Sequence, residues 1–216
     1  MHKIEITYNK HPNNILSELA KKYGSDKGSP IDDDISLSGW HTHVYTDFYD
    51  LIFSQKRGSV KHLLECGIGT NNPSIKSSMG VNGVPGSSLR MWRDYFSNAE
   101  IIGVDIDPNI LFEEERIKTY QVDQTSALST QEFLSNIDYK FDIIIEDGLH
   151  EPYAQIEFFK NTFDYLAEDG VYIIEDAAFT FKYVEEYLSN IGANFMTIKL
   201  PSKNITSPSC LIVVRK

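Results

Sequence analysis

In the stretch Lys61-His62-Leu63-Leu64-Glu65-Cys66-Gly67-Ile68-Gly69-Thr70, a short apolar run leads directly into an acidic residue and two closely spaced glycines. This pattern predicts a buried parallel β-strand that turns into a ligand-holding loop. Gly67 and Gly69 lack a Cβ, so the backbone can adopt positive φ and a bound molecule can lie against it. In an open α/β sheet, ligands bind just past the carboxyl end of such a strand. The glycine pair alone is equally consistent with a plain tight turn.

A second acidic residue favours the ligand-binding interpretation. Asp105 ends the next apolar strand, at residues 101–104, where its carboxylate can accept both ribose hydroxyls of a nucleoside lying across the two strand ends. A nicotinamide dinucleotide fits less well, because Asn72 stands where the third glycine of GxGxxG would be and the interval from Gly67 to Asp105 is long. An adenosine ligand without a pyrophosphate does not require the third glycine, so it fits this loop better.

Length and composition predict a single globular domain with a full hydrophobic core, since 41% of the 216 residues are hydrophobic. The net charge of -11 argues against a nucleic-acid partner, whose binding surface would be basic. The start of the chain has no signal-peptide core and no stretch approaches a membrane span, so we expect a cytoplasmic protein without a membrane partner. Cys66 and Cys210 fall in predicted strands and are expected to be buried free thiols.

Further apolar runs predict more strands, and helical patterns lie between them. These strands are expected at residues 117–122, 141–145, 171–174, 194–200 and 210–214. A helix is expected over residues 13–23, with an Asn cap and with Gly24 at its end. The aromatic-rich residues 40–53 predict a helix that either packs on the sheet or covers the ligand pocket. His41 and His43 are interpreted there as structural or exposed.

Two irregular segments are candidates for ligand contacts. The Gly- and Ser-rich insert at residues 71–88 is too long for an idle loop inside a compact domain. Asp123 and Gln124 follow the strand at residues 117–122, where they could contact an adenine edge. A cap on the helix that begins near Ser129 is an equally good interpretation of these two side chains.

Acidic residues follow two further strands. The runs at 141–145 and 171–174 lead into Asp147 and into Glu175-Asp176. Neighbouring strands lie about 4.8 Å apart, so these three carboxylates would converge if the two strands are adjacent. Such carboxylates repel one another unless a cation bridges them, and oxygen ligands suit Mg²⁺ or another hard divalent cation. The alternative is that the acids cap the helices that follow.

His150 follows Asp147 by three residues and is expected to face the same cavity. Histidine can remove a proton near neutral pH, so His150 is a candidate general base, with a supporting or capping role as the alternative. A cation and a base together favour a sugar-type hydroxyl as acceptor, because such a hydroxyl hardly ionises at pH 7 and a metal stabilises its alkoxide. Asp147 and His150 are therefore the candidate catalytic residues.

From about Lys21 to Ile174 the chain resembles the class I S-adenosylmethionine (SAM) dependent methyltransferases. Within that class it is similar to the metal-dependent sugar O-methyltransferases of macrolide biosynthesis, of the mycinamicin and macrocin type. The resemblance is carried by Lys22-Tyr23-Gly24-Ser25-Asp26-Lys27, His43-Val44-Tyr45, Glu65-Cys66-Gly67-Ile68-Gly69, Pro85-Gly86-Ser87-Ser88-Leu89-Arg90-Met91-Trp92, Gly103-Val104-Asp105-Ile106-Asp107, Asp147-Gly148-Leu149-His150 and Ile174-Glu175-Asp176.

This resemblance implies a Rossmann-like, doubly wound α/β fold. Its seven-stranded sheet would have the strand order 3-2-1-4-5-7-6, with strand seven antiparallel. Residues 1–58 would form an N-terminal helical cap segment, and residues 59–216 a SAM-dependent methyltransferase domain within one globular unit.

The same resemblance implies SAM as cofactor, together with Mg²⁺ or another divalent cation. The expected SAM contacts are Glu65, Gly67, Gly69, Ser88, Asp105, Asp123 and Gln124. The expected metal ligands are Asp147, Glu175 and Asp176, and His150 would be the base.

The leading hypothesis is therefore an enzyme that methylates a hydroxyl of a sugar, a sugar nucleotide or a related small metabolite. One alternative keeps SAM but moves the methyl group to nitrogen or to a phosphoryl-linked group of a surface-glycan precursor. Another is a non-catalytic SAM-binding protein. The expected partner is a small-molecule acceptor. Assembly into a homo-oligomer is left as an open alternative.

Overall fold

The computed structural model describes residues 14–28, 43–200 and 209–216, and eight strands in these ranges form one mixed sheet. The strands are β1 His62–Cys66, β2 Glu100–Asp105, β3 Glu113–Glu114, β4 Ile117–Gln121, β5 Phe141–Glu146, β6 Leu166–Ile174, β7 Asn194–Lys199 and β8 Cys210–Arg215. The helices are α1 Ile15–Tyr23, α2 Tyr45–Phe53, α3 Ser87–Tyr95, α4 Ala127–Leu134, α5 Pro152–Thr162 and α6 Phe181–Asn190.

The strand order is β3-β4-β2-β1-β5-β6-β8-β7. From β4 to β6 all neighbours are parallel, while β8 runs antiparallel to both β6 and β7. The predicted order of seven strands with the last one antiparallel is confirmed. The two-residue β3, which pairs with β4, is an addition that the apolar pattern did not predict.

Both faces of the sheet are covered by helices, which explains why the central strands read as unbroken apolar runs. Successive side chains of a strand point to opposite faces. Leu63 therefore lies in the apolar layer that α1, α2 and α3 share, whereas Leu64 lies in the layer beneath α4, α5 and α6. Both leucines are completely buried.

The first helix shows how local sequence fixes an element. Asn14 caps α1, because its side-chain oxygen accepts a hydrogen bond from the Ser17 backbone N–H at 2.7 Å. Gly24 ends the helix with φ of 76°, a left-handed conformation that glycine adopts without steric cost. The predicted helix with its Asn cap and Gly end is confirmed. The residues that follow it, Ser25 to Lys27, line the first cavity described below.

The longest helix within the described ranges has 11 residues. Among those ranges, none combines the length and apolar character that crossing a bilayer requires.

The sheet core provides a stability test with two matched leucines. We expect Leu64→Ala to lower the free energy of unfolding by about 2–5 kcal/mol, since it deletes buried methyl groups and leaves a cavity. Leu128 on α4 is 66% exposed, so Leu128→Ala should change that free energy by no more than about 0.5 kcal/mol. Urea denaturation measures both. Equal losses in the two variants would contradict the layer assignment.

Candidate active site

The carboxyl ends of the central parallel strands open onto two adjoining cavities. The first has a volume of about 310 Å³ and the second about 360 Å³. Gly67, Asp105 and Gly148 line both cavities, so the loops after β1, β2 and β5 meet at their common boundary. Asp147, Glu175 and Asp176 line the first cavity, and Asp123 and Gln124 line the second.

Gly67 is required by a close backbone contact. It has φ of 85°, and a Cβ built on it would lie 2.0 Å from the carbonyl oxygen of Asp147. Asp105 holds the next residue of the loop, because one carboxylate oxygen accepts the Ile68 N–H at 2.9 Å. Burial raises the pKa of Asp105. The glycine turn and the acidic end of β2 are thus one unit, as the sequence predicted.

The insert at residues 71–86 folds over the cavities rather than away from them. Asn71 donates hydrogen bonds to the carbonyl oxygens of Gly80 and Gly83, which closes the insert into a compact loop. Lys76 lines both cavities and forms an ion pair with Glu151, just before α5. The prediction that this loop is functional stays a prediction, but its position over the cavities is what such a role requires.

Lys27 is the charged residue that sequence reasoning missed. Its side chain is 3% exposed, and its ammonium contacts three carboxylates: Asp147, Glu175 at 2.7 Å and Glu65 at 3.3 Å. Burial opposes the charge, yet the three acids hold the pKa of Lys27 well above its ordinary value. Burial also raises the pKa of Glu65 to about 7. Glu65 itself is fully covered and lines neither cavity.

Two tyrosines of α2 reach the same acids. Tyr49 donates its hydroxyl hydrogen to Glu175 at 2.5 Å, and Tyr45 donates to Asp176 at 2.6 Å. Residues four apart lie on one face of a helix, which is why both hydroxyls arrive together. Burial and the neighbouring carboxylates raise the pKa of both tyrosines well above the ordinary value, so they act as neutral donors. Within the predicted segment 40–53 the described helix is α2, Tyr45–Phe53, which packs on the sheet through its buried aromatic side chains. None of the α2 residues lines either cavity, so its role as a cover stays a prediction.

Asp147, His150 and Asp176 form a group that could hold a metal ion. One ligand atom from each lies within 4.8 Å of the others. The His150 Nε2 atom is 3.9 Å from Asp147 and 3.7 Å from Asp176, whereas its buried Nδ1 atom has no hydrogen-bond partner. His150 and Asp176 adopt φ of 54° and 50°, and such strain in non-glycine residues is concentrated at functional sites.

Glu175 differs from the other two predicted metal ligands. Its two carboxylate oxygens are engaged by Lys27 and Tyr49, so it is not part of the ligand group that the described residues form. The helix-cap alternative for the acids is not what the structure shows. Glu151 and Thr180 occupy the N-cap positions of α5 and α6, and neither cap makes a side-chain hydrogen bond.

The pair after β4 does not cap the following helix, so that interpretation is wrong. Gln124 uses both ends of its amide within the protein, because it donates to Glu146 at 2.8 Å and accepts the Leu149 N–H at 2.8 Å. It therefore braces the loop that carries Asp147 and His150. Asp123 accepts bonds from Thr125, and the cap of α4 is Ser126, not Asp123. The adenine contacts of both residues stay a prediction.

His43 was interpreted as structural or exposed, but it is mostly buried beside the acids. Its ring stacks on Tyr45 with centroids 4.6 Å apart, and its Nε2 atom is 3.5 Å from Asp176. His41 lies outside the described residues. Because the contacts of His43 join distant parts of the chain, the local pattern could not reveal them.

No protein-family model matches the chain, but curated proteins do. It is 34% identical over 165 residues, 74% of this chain and 36% of the relative, to the 8-demethyl-8-(2-methoxy-alpha-L-rhamnosyl)-tetracenomycin-C 3'-O-methyltransferase of Streptomyces olivaceus. It is 33% identical over 165 residues, 74% of this chain and 35% of the relative, to the mycinamicin VI 2''-O-methyltransferase of Micromonospora griseorubida. The chain spans less than half the length of these curated relatives.

A solved structure extends the likeness to the three-dimensional level. The MycE methyltransferase from the mycinamycin biosynthetic pathway, in complex with Mg and SAH, superposes with a TM-score of 0.66 at 25% identity. The match covers 94% of this chain and 54% of that one. An O-methyltransferase from Bacillus cereus in complex with SAH, at 13% identity and a TM-score of 0.56, shares the fold alone.

The tyrosine contacts predict a measurable difference between two conservative variants. Tyr49→Phe should lower the free energy of unfolding by about 1.5–3 kcal/mol, because it removes a buried hydrogen bond to a charged group. Tyr153 is 61% exposed, so Tyr153→Phe should stay within about 0.5 kcal/mol of the parent. Chemical denaturation compares them. A Tyr49→Phe protein as stable as the parent would contradict the contact with Glu175.

Proposed function

The chain is a homologue of the macrolide sugar O-methyltransferases with the class I methyltransferase fold, and we propose that it is itself a SAM-dependent methyltransferase. It transfers the methyl group to a hydroxyl of a sugar, a sugar nucleotide or a related small metabolite, with the assistance of Mg²⁺ or another divalent cation. The observation that carries this proposal is the meeting of the Gly67 turn and the Asp147, His150 and Asp176 group at one cavity.

The two adjoining cavities fit the two ends of SAM. The first is bounded by Gly69 and Ser88 and takes the methionine part, and the second is bounded by Asp123 and Gln124 and takes the adenine. Asp105 lines both cavities, so its carboxylate is placed for the ribose between them. A side chain in place of Gly67 would close this boundary. Glu65 is covered and acts on the cofactor through its ion pair with Lys27.

The residues at the acidic end of the first cavity fit a divalent cation. Asp147 and Asp176 would hold it, and Glu175 would be a ligand only if its contact with Lys27 were released. The fit rests on the 4.8 Å spacing of the ligand group and on the unpaired, buried Nδ1 of His150. When bound, such an ion lowers the pKa of a coordinated hydroxyl and stabilises the alkoxide.

The protein's own residues exclude water and accept the proton during methyl transfer. The loop at 71–86, several residues of which line the cavities, excludes water. The acceptor oxygen attacks the methyl carbon in line. A C–O bond forms, the C–S bond breaks with its electron pair going to sulfur, and the hydroxyl proton goes to His150. Burial lowers the pKa of His150 but Asp176 and Asp147 raise it above its ordinary value. His150 is the residue that would hold the proton released by the hydroxyl, and a cation bound by the two carboxylates would offset the charge that raises its pKa.

The partner is a small-molecule acceptor, and the curated relatives act on sugars of natural products, as their names state. The division of the chain into a cap segment over residues 1–58 and a methyltransferase domain over residues 59–216 stays a prediction. The contacts of Tyr45 and Tyr49 with the acids support that division. A cytoplasmic location and a homo-oligomeric state stay predictions.

Calorimetric titration with SAM tests the cofactor site. We expect the parent protein to bind SAM and Asp105→Asn to bind it about tenfold to a hundredfold more weakly, the range for losing hydrogen bonds to a charged group. Asp138 is exposed, so Asp138→Asn makes the same chemical change away from the cavities and should bind like the parent. If the parent gave no heat of binding, the proposed function would be lost.

The role of the base is tested by turnover with labelled SAM and a sugar acceptor. His150→Gln should slow turnover by about 100-fold to 10,000-fold, the range for losing a general base, and should retain SAM binding. His62→Gln, at the opposite end of β1, should turn over like the parent. Full activity of His150→Gln would contradict its role. Turnover unaffected by EDTA would instead favour transfer to nitrogen or to a phosphoryl-linked group.

A further inference from the structure

Lys27 is a buried ammonium at the end of the first cavity where the cation is proposed to bind. An ammonium carries three N–H donors, and the three carboxylates of Glu65, Asp147 and Glu175 surround this one. Its charge therefore already balances part of the negative charge that would attract a metal ion.

The position of Lys27 is fixed by its surroundings. It lies in the turn after α1, where its carbonyl oxygen accepts the Thr46 N–H at 3.0 Å. Two of its acidic partners are held by other donors as well: Glu175 by Tyr49 at 2.5 Å, and Glu65 by Trp92 at 3.1 Å. The ammonium of Lys27 is therefore buried against acceptors whose positions are fixed by other hydrogen bonds, unlike an exposed lysine beside a surface acid.

Asp147 belongs to two groups at once. It contacts the Lys27 ammonium, and it is also a member of the possible metal-binding group with His150 and Asp176. A carboxylate that binds a divalent cation has less negative charge to offer a second cation, and two cations a few ångströms apart repel each other strongly. Glu175 is not in that metal-binding group, but it shares the Lys27 ammonium with Asp147 and contacts Lys27 through one oxygen and Tyr49 through the other.

We propose that Lys27 is a built-in competitor of the divalent cation, which holds Asp147 and Glu175 while the ion is absent and has to release at least one of them when it binds. The inference rests on the cation site of the proposed function. It assigns to Lys27 the control of metal affinity: the lysine keeps the acidic site folded without metal and weakens the binding of the ion. The outcome is a site that fills only when the concentration of the ion is high enough to overcome an internal charge.

Titration of the metal-free protein with Mn²⁺ alone tests this, with no cofactor or acceptor present. Lys27→Met should bind Mn²⁺ at least about tenfold more tightly than the parent, because a nearby like charge is removed. It should also show a larger rise in Tm on adding Mn²⁺ and a lower Tm in EDTA. Lys76→Met makes the same charge change at the rim of the same cavity, where the side chain is 71% exposed. Its Mn²⁺ affinity should stay within about twofold of the parent, since solvent and salt screen that charge.

If Lys27→Met does not fold, the double variant Lys27→Met/Glu65→Gln replaces it, because it removes one positive and one negative charge and leaves the metal-binding group intact. The same tightening is expected there. Equal or weaker Mn²⁺ binding by the folded variant would overturn the inference and leave the cation site standing. If neither the parent nor the variant bound Mn²⁺, the inference and the cation site would both be lost. If only the variant bound Mn²⁺, the inference would be supported, because Lys27 would then be shown to prevent binding of the ion in the parent.

Discussion

The approach of Gly67 to the Asp147 carbonyl is the constraint on which the site depends. A Cβ at residue 67 would lie 2.0 Å from that oxygen, so the loops after β1 and β5 can pack backbone to backbone only with glycine there. The Asp147 N–H also donates to the Cys66 carbonyl oxygen at 2.8 Å. These contacts place the glycine loop, the proposed nucleoside site, against the strand end that carries the acids.

Buried charge is the second constraint. Glu65 and Glu175 are essentially inaccessible to solvent, and an uncompensated buried carboxylate costs several kcal/mol, of the order found for buried ion pairs that lose one partner. The compensation comes from the N-terminal part of the chain, through the Lys27 ammonium and the Tyr49 hydroxyl. The helices that cover the sheet therefore also neutralise the site, which ties the cap segment to the chemistry beneath it.

The strands could be predicted because each central one is buried on both faces and reads as an apolar run. The acids at strand ends could be predicted to converge for the same reason, since parallel strands end at one edge. The contacts that tune the site could not, because they join residues far apart in the chain: Lys27 meets Glu175 across 148 positions, and Tyr45 meets Asp176 across 131. Because Glu175 and Asp176 are adjacent in sequence, both were predicted to bind the metal. In the structure Glu175 contacts Lys27 and Tyr49, whereas Asp176 lies in the possible metal-binding group.

The left-handed backbone at His150 and Asp176 has a consequence for protein engineering. Non-glycine residues held in that conformation cost roughly 1–3 kcal/mol each, and glycine would relieve that cost. A search for stabilising substitutions would therefore favour glycine at His150 and Asp176, although the proposed chemistry needs both side chains. In this protein a trade-off between stability and activity is located at two identifiable positions rather than spread over the molecule.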